Sequence, residues 1–121
     1  IDYGYLNEGV GDTLQAVKNH KFSSVFKNPG NNDLTAHVNF SEIKKNAKIN
    51  QNNVFGPIEQ GDWLKRLGIY LRLQKLIENQ HKGNNLNLIN DINRLISPNQ
   101  MGKLFKVISF SSPHIKKLEG F

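Results

Sequence analysis

Ile1-Asp2-Tyr3-Gly4-Tyr5 is the stretch on which the reading of the fold turns. An aliphatic residue followed by Asp reads as the end of a buried strand, and Gly4 suits the turn that leaves it. Open α/β sheets present such a carboxyl edge to their ligands. A single residue makes no strand. Either the chain is a piece of something longer, or this end is irregular.

Working outward, residues 4–35 form a weakly periodic stretch punctuated by Gly4, Gly9, Gly11 and Gly30. Asp12 is placed to cap a short helix over Asp12–His20, with Leu14 and Val17 as a thin apolar face. The remainder reads as loop, and a long loop in a small domain tends to carry function. Val38-Asn39-Phe40-Ser41-Glu42-Ile43 is a helix start. Asn39 can accept from the Glu42 amide, Glu42 can reach back, and Val38 and Ile43 are spaced for a hydrophobic staple. Phe40, Ile43 and Ala47 give this helix its apolar stripe, and its end is expected near Lys48.

A short strand is expected around Val54-Phe55, with Pro57 confining it to an edge or to its last residues. Asp62 is read as the cap of a long helix over about 62–80, in which Gly68 is a point of bending or splitting. A polar connection at His81–Asn85 leads to a second amphipathic helix over 86–97, stopped by Ser97-Pro98. Two helices so joined pack antiparallel. Leu104–Phe110 is rich in strand formers, and the basic tail beyond Pro113 reads as frayed.

Composition narrows the function classes. The 121 residues amount to one domain's worth of chain. Asn (17), Lys (13) and Ile (11) are over-used, which points to an AT-rich bacterial genome and makes part of the +6 net charge drift on solvated faces. With no Cys, disulfides, thiolate metal sites and a Cys nucleophile are excluded. No apolar run approaches the ~18 residues of a membrane span.

The four histidines, His20, His37, His81 and His114, share no helix face at ligand spacing, so a metal site is not expected. No Gly-x-Ser-x-Gly elbow occurs, and Gly9-Val10-Gly11 is too short to be a phosphate loop. Lys65, Arg66, Arg72 and Lys75 cluster on one helix and could meet nucleic acid. They also occupy the polar positions a helix needs for solubility, and no aromatic stacking platform accompanies them. Two constellations remain: Asp2-Tyr3-Gly4-Tyr5, and Asp33-Leu34-Thr35-Ala36-His37-Val38 leading into the capped helix. Spacing alone leaves open whether these aspartates merely cap turns and the tyrosines merely pack.

At these constellations the sequence resembles a known family. Ile1 to Tyr5, Gly11-Asp12-Thr13-Leu14-Gln15-Ala16, His20, Pro29-Gly30, Asp33 to Phe40, Gly56-Pro57-Ile58, Gln60-Gly61, Leu67-Gly68-Ile69, Arg72 and Met101-Gly102-Lys103-Leu104-Phe105-Lys106-Val107 are similar to the C-terminal part of the MidA family. Asn39 stands where that family usually has Asp. The resemblance implies S-adenosylmethionine-dependent methyltransferases of the Rossmann-like class, whose mitochondrial members are implicated in respiratory complex I assembly by methylating an arginine of a partner protein.

That resemblance sets the expectations. The fold is the C-terminal portion of a class I methyltransferase sheet, incomplete on its own, with a helical insertion at about 62–97. Ile1 ends a central strand, and Val54–Ile58 and Leu104–Phe110 are the last two edge strands. S-adenosylmethionine serves the intact enzyme, and its glycine-rich motif lies outside this sequence, so tight binding to these residues is not expected. Asp2, Tyr3, Gly4, Tyr5, Thr13, Gln15, Asp33 and Thr35 form the acceptor side, with His37 or His20 as proton acceptor. The partners are a protein substrate (a complex I subunit or a bacterial counterpart), the missing N-terminal half, and a second copy through an exposed sheet edge. The location is cytoplasmic in a bacterium and the matrix in a mitochondrion. Two alternatives stand beside this: a non-catalytic interaction module using the helices, and a basic nucleic-acid binder.

Overall fold

The computed structural model describes residues 1–7, 11–50, 52–79 and 85–121. The expected connection at His81–Asn85 falls largely outside these residues, as do Gly9 and Val10. Among the described residues twelve elements follow one another. They are β1 (Asp2–Tyr5), β2 (Gln15–Lys18), β3 (Lys21–Ser23), β4 (Asp33–Thr35), β5 (Val38–Asn39), α1 (Phe40–Ile49), β6 (Asn53–Glu59), α2 (Gln60–Arg66), α3 (Ile69–Glu78), α4 (Asn85–Ile96), α5 (Met101–Leu104) and β7 (Phe105–Ser111). The α/β class expected from the sequence is the class observed.

The larger sheet has the order β5-β1-β7-β6. β5 runs parallel to β1, with Gly4 opposite Val38, and β7 runs antiparallel to both β1 and β6. Two expectations are corrected here. The opening residues do not turn after Ile1; the strand continues through Tyr5. Nor is β7 an edge strand, because it lies between β1 and β6. The first half of β1 pairs with β7 and its second half with β5, so each half keeps one side unpaired. Among the described residues the edges are two-residue β5 and β6, whose Pro57 lacks the N–H that would recruit another strand.

Strand β1 packs on β5 because residue 4 has no side chain. A Cβ on Gly4 would lie 2.2 Å from the Val38 carbonyl oxygen and 2.9 Å from the Phe40 ring. Phe40, 2% exposed, starts α1 under this junction. Asn39 caps that helix, its side chain accepting from the Glu42 N–H at 3.1 Å. The Glu42 carboxylate meanwhile accepts from Asn46 Nδ2 at 3.0 Å.

The expected helix over Asp12–His20 is instead a strand and a turn. Asp12 Oδ1 accepts from the Leu14 N–H at 2.9 Å, which closes a local turn, not a helix cap. Gln15-Ala16-Val17-Lys18 then alternates with only Ala16 buried. Asn19 and His20, at φ of 50° and 60°, form the left-handed two-residue turn that returns the chain as β3. β4 closes the other side, giving a second sheet of order β3-β2-β4.

Helix α2 begins at Gln60, two residues before the expected cap. Asp62 sits in its first turn and pairs with Lys65 at 3.6 Å. Gly68, at φ +82°, splits the long helix into α2 and α3. The C-terminal end of α4 is held tightly: Gln60 Nε2 donates to the Leu95 carbonyl at 2.9 Å, and the Gly102 N–H donates to the Ser97 carbonyl at 3.0 Å. These groups satisfy carbonyls that a helix terminus leaves open.

The tail is not frayed as expected. Phe121 packs 6.1 Å from Phe55 and 6.4 Å from Trp63 between ring centroids, and Asn53 Nδ2 donates to the Pro113 carbonyl at 3.1 Å. A terminal aromatic ring gains enough from burial to order the segment before it. The described chain nevertheless buries few apolar side chains: Ala16, Phe40, Ile69, Ile96 and Val107. Its accessible surface is 8942 Å², against about 6,600 Å² for a folded monomer of this mass. Among the described residues no helix is long and apolar enough to cross a membrane.

Candidate functional site

Cross-strand pairing decides what the small sheet presents. Val17 stands opposite Phe22 and Asp33, and Gln15 opposite Thr35, so these five side chains share one face. That face floors a groove of about 400 Å³ lined by Tyr3, Gln15, Val17, Phe22, Thr35, His37 and Leu104. Tyr3 and His37 meet edge to face, their ring centroids 5.6 Å apart. Tyr3 also meets Phe105 edge to face, their ring centroids 5.9 Å apart. The His37 N–H donates to Thr13 Oγ1 at 3.2 Å, which ties the segment before β5 to the loop before β2.

Of the residues read from the sequence, Tyr3, Gln15, Thr35 and His37 come together in this groove, and Thr13 holds one of its walls. The other five stand apart from its lining. Asp2 accepts from the N–H of its neighbour Tyr3 at 2.8 Å. Gly4 lies at the β1–β5 contact and lines a separate hollow. Tyr5 is half-buried opposite Asn39. His20 occupies the exposed β2–β3 turn. Asp33 begins β4 on the groove face but is exposed. Val17, Phe22 and Leu104 were not read as site residues. The alternation of Gln15 to Lys18 around a two-residue turn could have exposed the first two.

The groove is lined by three rings (Tyr3, Phe22 and His37), the Gln15 amide and the hydroxyls of Tyr3 and Thr35. It suits a planar cation that stacks on rings and donates hydrogen bonds. Among the described residues no group of three or more His, Asp or Glu could hold a metal ion.

The basic helix face is solvated. Lys65, Arg66, Arg72 and Lys75 are all exposed. Leu67, Tyr70 and Leu71 are 47%, 54% and 67% exposed, an apolar strip beside those charges.

Comparison with known proteins places these features in context. Residues 1–58 match the family described as "Putative S-adenosyl-L-methionine-dependent methyltransferase". The mitochondrial protein arginine methyltransferase NDUFAF7 of Danio rerio is 37% identical over 109 residues, covering 90% of this chain and 25% of that protein. Its Homo sapiens counterpart is 32% identical over 120 residues, covering 98% of this chain and 26% of that protein. A Burkholderia thailandensis crystal structure bound to S-adenosyl-homocysteine superposes with a TM-score of 0.82 at 32% identity, covering 99% of this chain and 33% of that one. The chain thus spans about a quarter of the length of the curated relatives it matches.

Proposed function

The chain belongs to the MidA-like family of S-adenosylmethionine-dependent methyltransferases, and from that premise we propose that it forms the acceptor-facing part of a protein methyltransferase directed at arginine. The observation that carries the proposal is the groove in which Tyr3 and His37 meet at 5.6 Å above Gln15 and Thr35. A guanidinium laid against the Tyr3 ring is held by cation–π attraction, and its N–H groups reach the Gln15 and Thr35 oxygens. Val17 and Phe22 receive the aliphatic stem of the side chain.

S-adenosylmethionine supplies an electrophilic methyl group in this family. The roles assigned to these residues lie on the acceptor side. They bind the acceptor, fix its plane and keep water from one face. His37, with its backbone tied to Thr13, is the group in the groove able to accept the proton that a guanidinium sheds on becoming methylated. His20, exposed at its turn, would reach the acceptor only if the acceptor extended past Phe22.

A fluorescent peptide with a single arginine, titrated against the chain, tests this reading. Tyr3→Leu keeps the bulk of the side chain but removes the π face and the phenol. It should weaken binding about tenfold, and replacing the arginine by citrulline should do the same. Equal affinity of Tyr3→Leu and the parent chain for the arginyl peptide would overturn the assignment.

A further inference from the structure

Beside the groove lies a second hollow of about 440 Å³, which no step above uses. Gly4, Asn99, Gln100, Lys103 and Lys106 line it, and Leu104 lines both concavities. Tyr3 of the groove and Gly4 of the hollow are consecutive residues of β1. As neighbours in a strand they face opposite sides of the sheet, so the two spaces approach each other around the sheet's end, where Leu104 lines both.

Every polar side chain of this hollow can donate, and no carboxylate lines it. Lys106 is 7% exposed, and its Nζ donates to the Lys103 carbonyl and, at 3.4 Å, to the Leu104 carbonyl. Those bonds close the end of α5 and explain why Lys106 is there. Burial holds its pKa below the ordinary lysine value. The Glu59 charge opposes that and the Lys103 charge adds to it. In the sheet Lys106 stands between Asp2 and Glu59. Even so, among the described residues neither lysine of the hollow takes part in an ion pair. Lys103 is exposed and has no such structural explanation.

Resting on the acceptor reading above, we propose that this hollow receives an acidic side chain of the acceptor polypeptide, lying a few residues from the arginine in the groove. A carboxylate there would accept from Lys103 and from the Asn99 and Gln100 amides. An extended peptide advances about 3.3 Å per residue, so crossing Leu104 places the acid about two to four residues from the arginine. The acceptor specificity of this part of the enzyme is then for an arginine with a nearby Asp or Glu on one side, not for arginine alone.

The probes are acetylated nine-residue peptides with one arginine and one glutamate, the glutamate moved from one to five positions away on either side. A matched set carries glutamine instead. Binding to the chain is read by anisotropy. The glutamate peptide should bind about tenfold tighter than its glutamine twin at offsets of about two to four on one side only, and Lys103→Gln should bring the two to equal affinity. Because the chain is basic, an acidic peptide gains some attraction anywhere on it. An advantage independent of offset, or one that survives Lys103→Gln, therefore overturns the proposal. So does equal binding of the twins while arginine itself is still required. If no arginyl peptide binds, the acceptor reading fails and this inference with it.

Discussion

Gly102→Ala is expected to lower stability by about 3 kcal/mol or more. The new Cβ would lie 2.2 Å from the Ile96 carbonyl oxygen, 2.3 Å from its carbon and 2.7 Å from the Ser97 oxygen. All three are backbone atoms at the end of α4, so no side chain can swing aside. Gly61 approaches the same place from α2, its own Cβ position 2.5 Å from the Ile96 oxygen. The end of α4 is thus wedged between two glycines and cannot retreat from one without striking the other. If α5 moves away instead, the Gly102 N–H to Ser97 bond is lost. A small domain has only about 5–15 kcal/mol in hand, and this one buries few apolar side chains. The urea midpoint should fall sharply. Gly30→Ala is the control, because its Cβ meets nothing and only its φ of +82° is strained; it should cost about 1–2 kcal/mol. Equal midpoints for the two variants would contradict the packing described for α4 and α5.

Gly4→Ala is expected to damage both fold and groove. Its Cβ would lie 2.2 Å from the Val38 oxygen and 2.9–3.0 Å from two carbons of the Phe40 ring. Phe40 is the largest of the buried apolar residues, so either β1 leaves β5 or the core around α1 opens. A loss of about 2–4 kcal/mol follows from forcing a methyl group into this junction. The functional consequence is separate. Tyr3 precedes Gly4, and His37 precedes Val38, so pushing these two strands apart pulls the two rings of the groove apart. In NMR spectra of the fraction that remains folded, contacts between the Tyr3 and His37 rings should weaken, and arginyl-peptide affinity should fall about tenfold. Retention of both the contacts and the affinity would show that the β1–β5 register does not set the groove.

Gly4 also shows how far the sequence could be read. It was read as leaving a strand by a turn and, through the resemblance, as part of the acceptor side, whereas the neighbour it makes room for is the Val38 carbonyl. Sequence alone does not tell which partner requires a glycine. The capped start of α1 was legible because Asn39, Glu42 and their spacing are a local code. The split at Gly68 and the edge position of Pro57 were legible for the same reason, since each residue carries its own backbone restriction. The region from Asp12 to Ser23 was not. Leu14 and Val17 stand at helical spacing, while the turn at Asn19-His20 lacks the Asn-Gly pair that most often announces a hairpin. Missing that turn concealed Val17 and Phe22, which floor the groove. The tail was misread because its ordering depends on Phe55 and Trp63, far away in the chain.

The site divides along similar lines. Tyr3, Thr35 and His37 were reached from two separate clusters of polar residues and Gln15 through the family resemblance, and the structure brings them to one surface. Asp2 and Asp33 drew notice as charges beside ordered elements, a pattern that also describes residues serving their own backbone, as Asp2 does. Lys103 was masked by the general surplus of lysine. Only the hollow it lines distinguishes it from the solvated lysines of the helices.

The account stands on the groove between Tyr3, His37 and the small sheet being where an acceptor arginine lies. Photo-crosslinking tests that most directly. An arginyl peptide with a diazirine beside the arginine is bound to the chain and irradiated, and the adducts are mapped by mass spectrometry. The account predicts adducts on Tyr3, Val17, Phe22 and His37 that excess unlabelled arginyl peptide competes away. Adducts confined to the exposed strip of Leu67, Tyr70 and Leu71 would contradict it and would make the helices the binding surface instead.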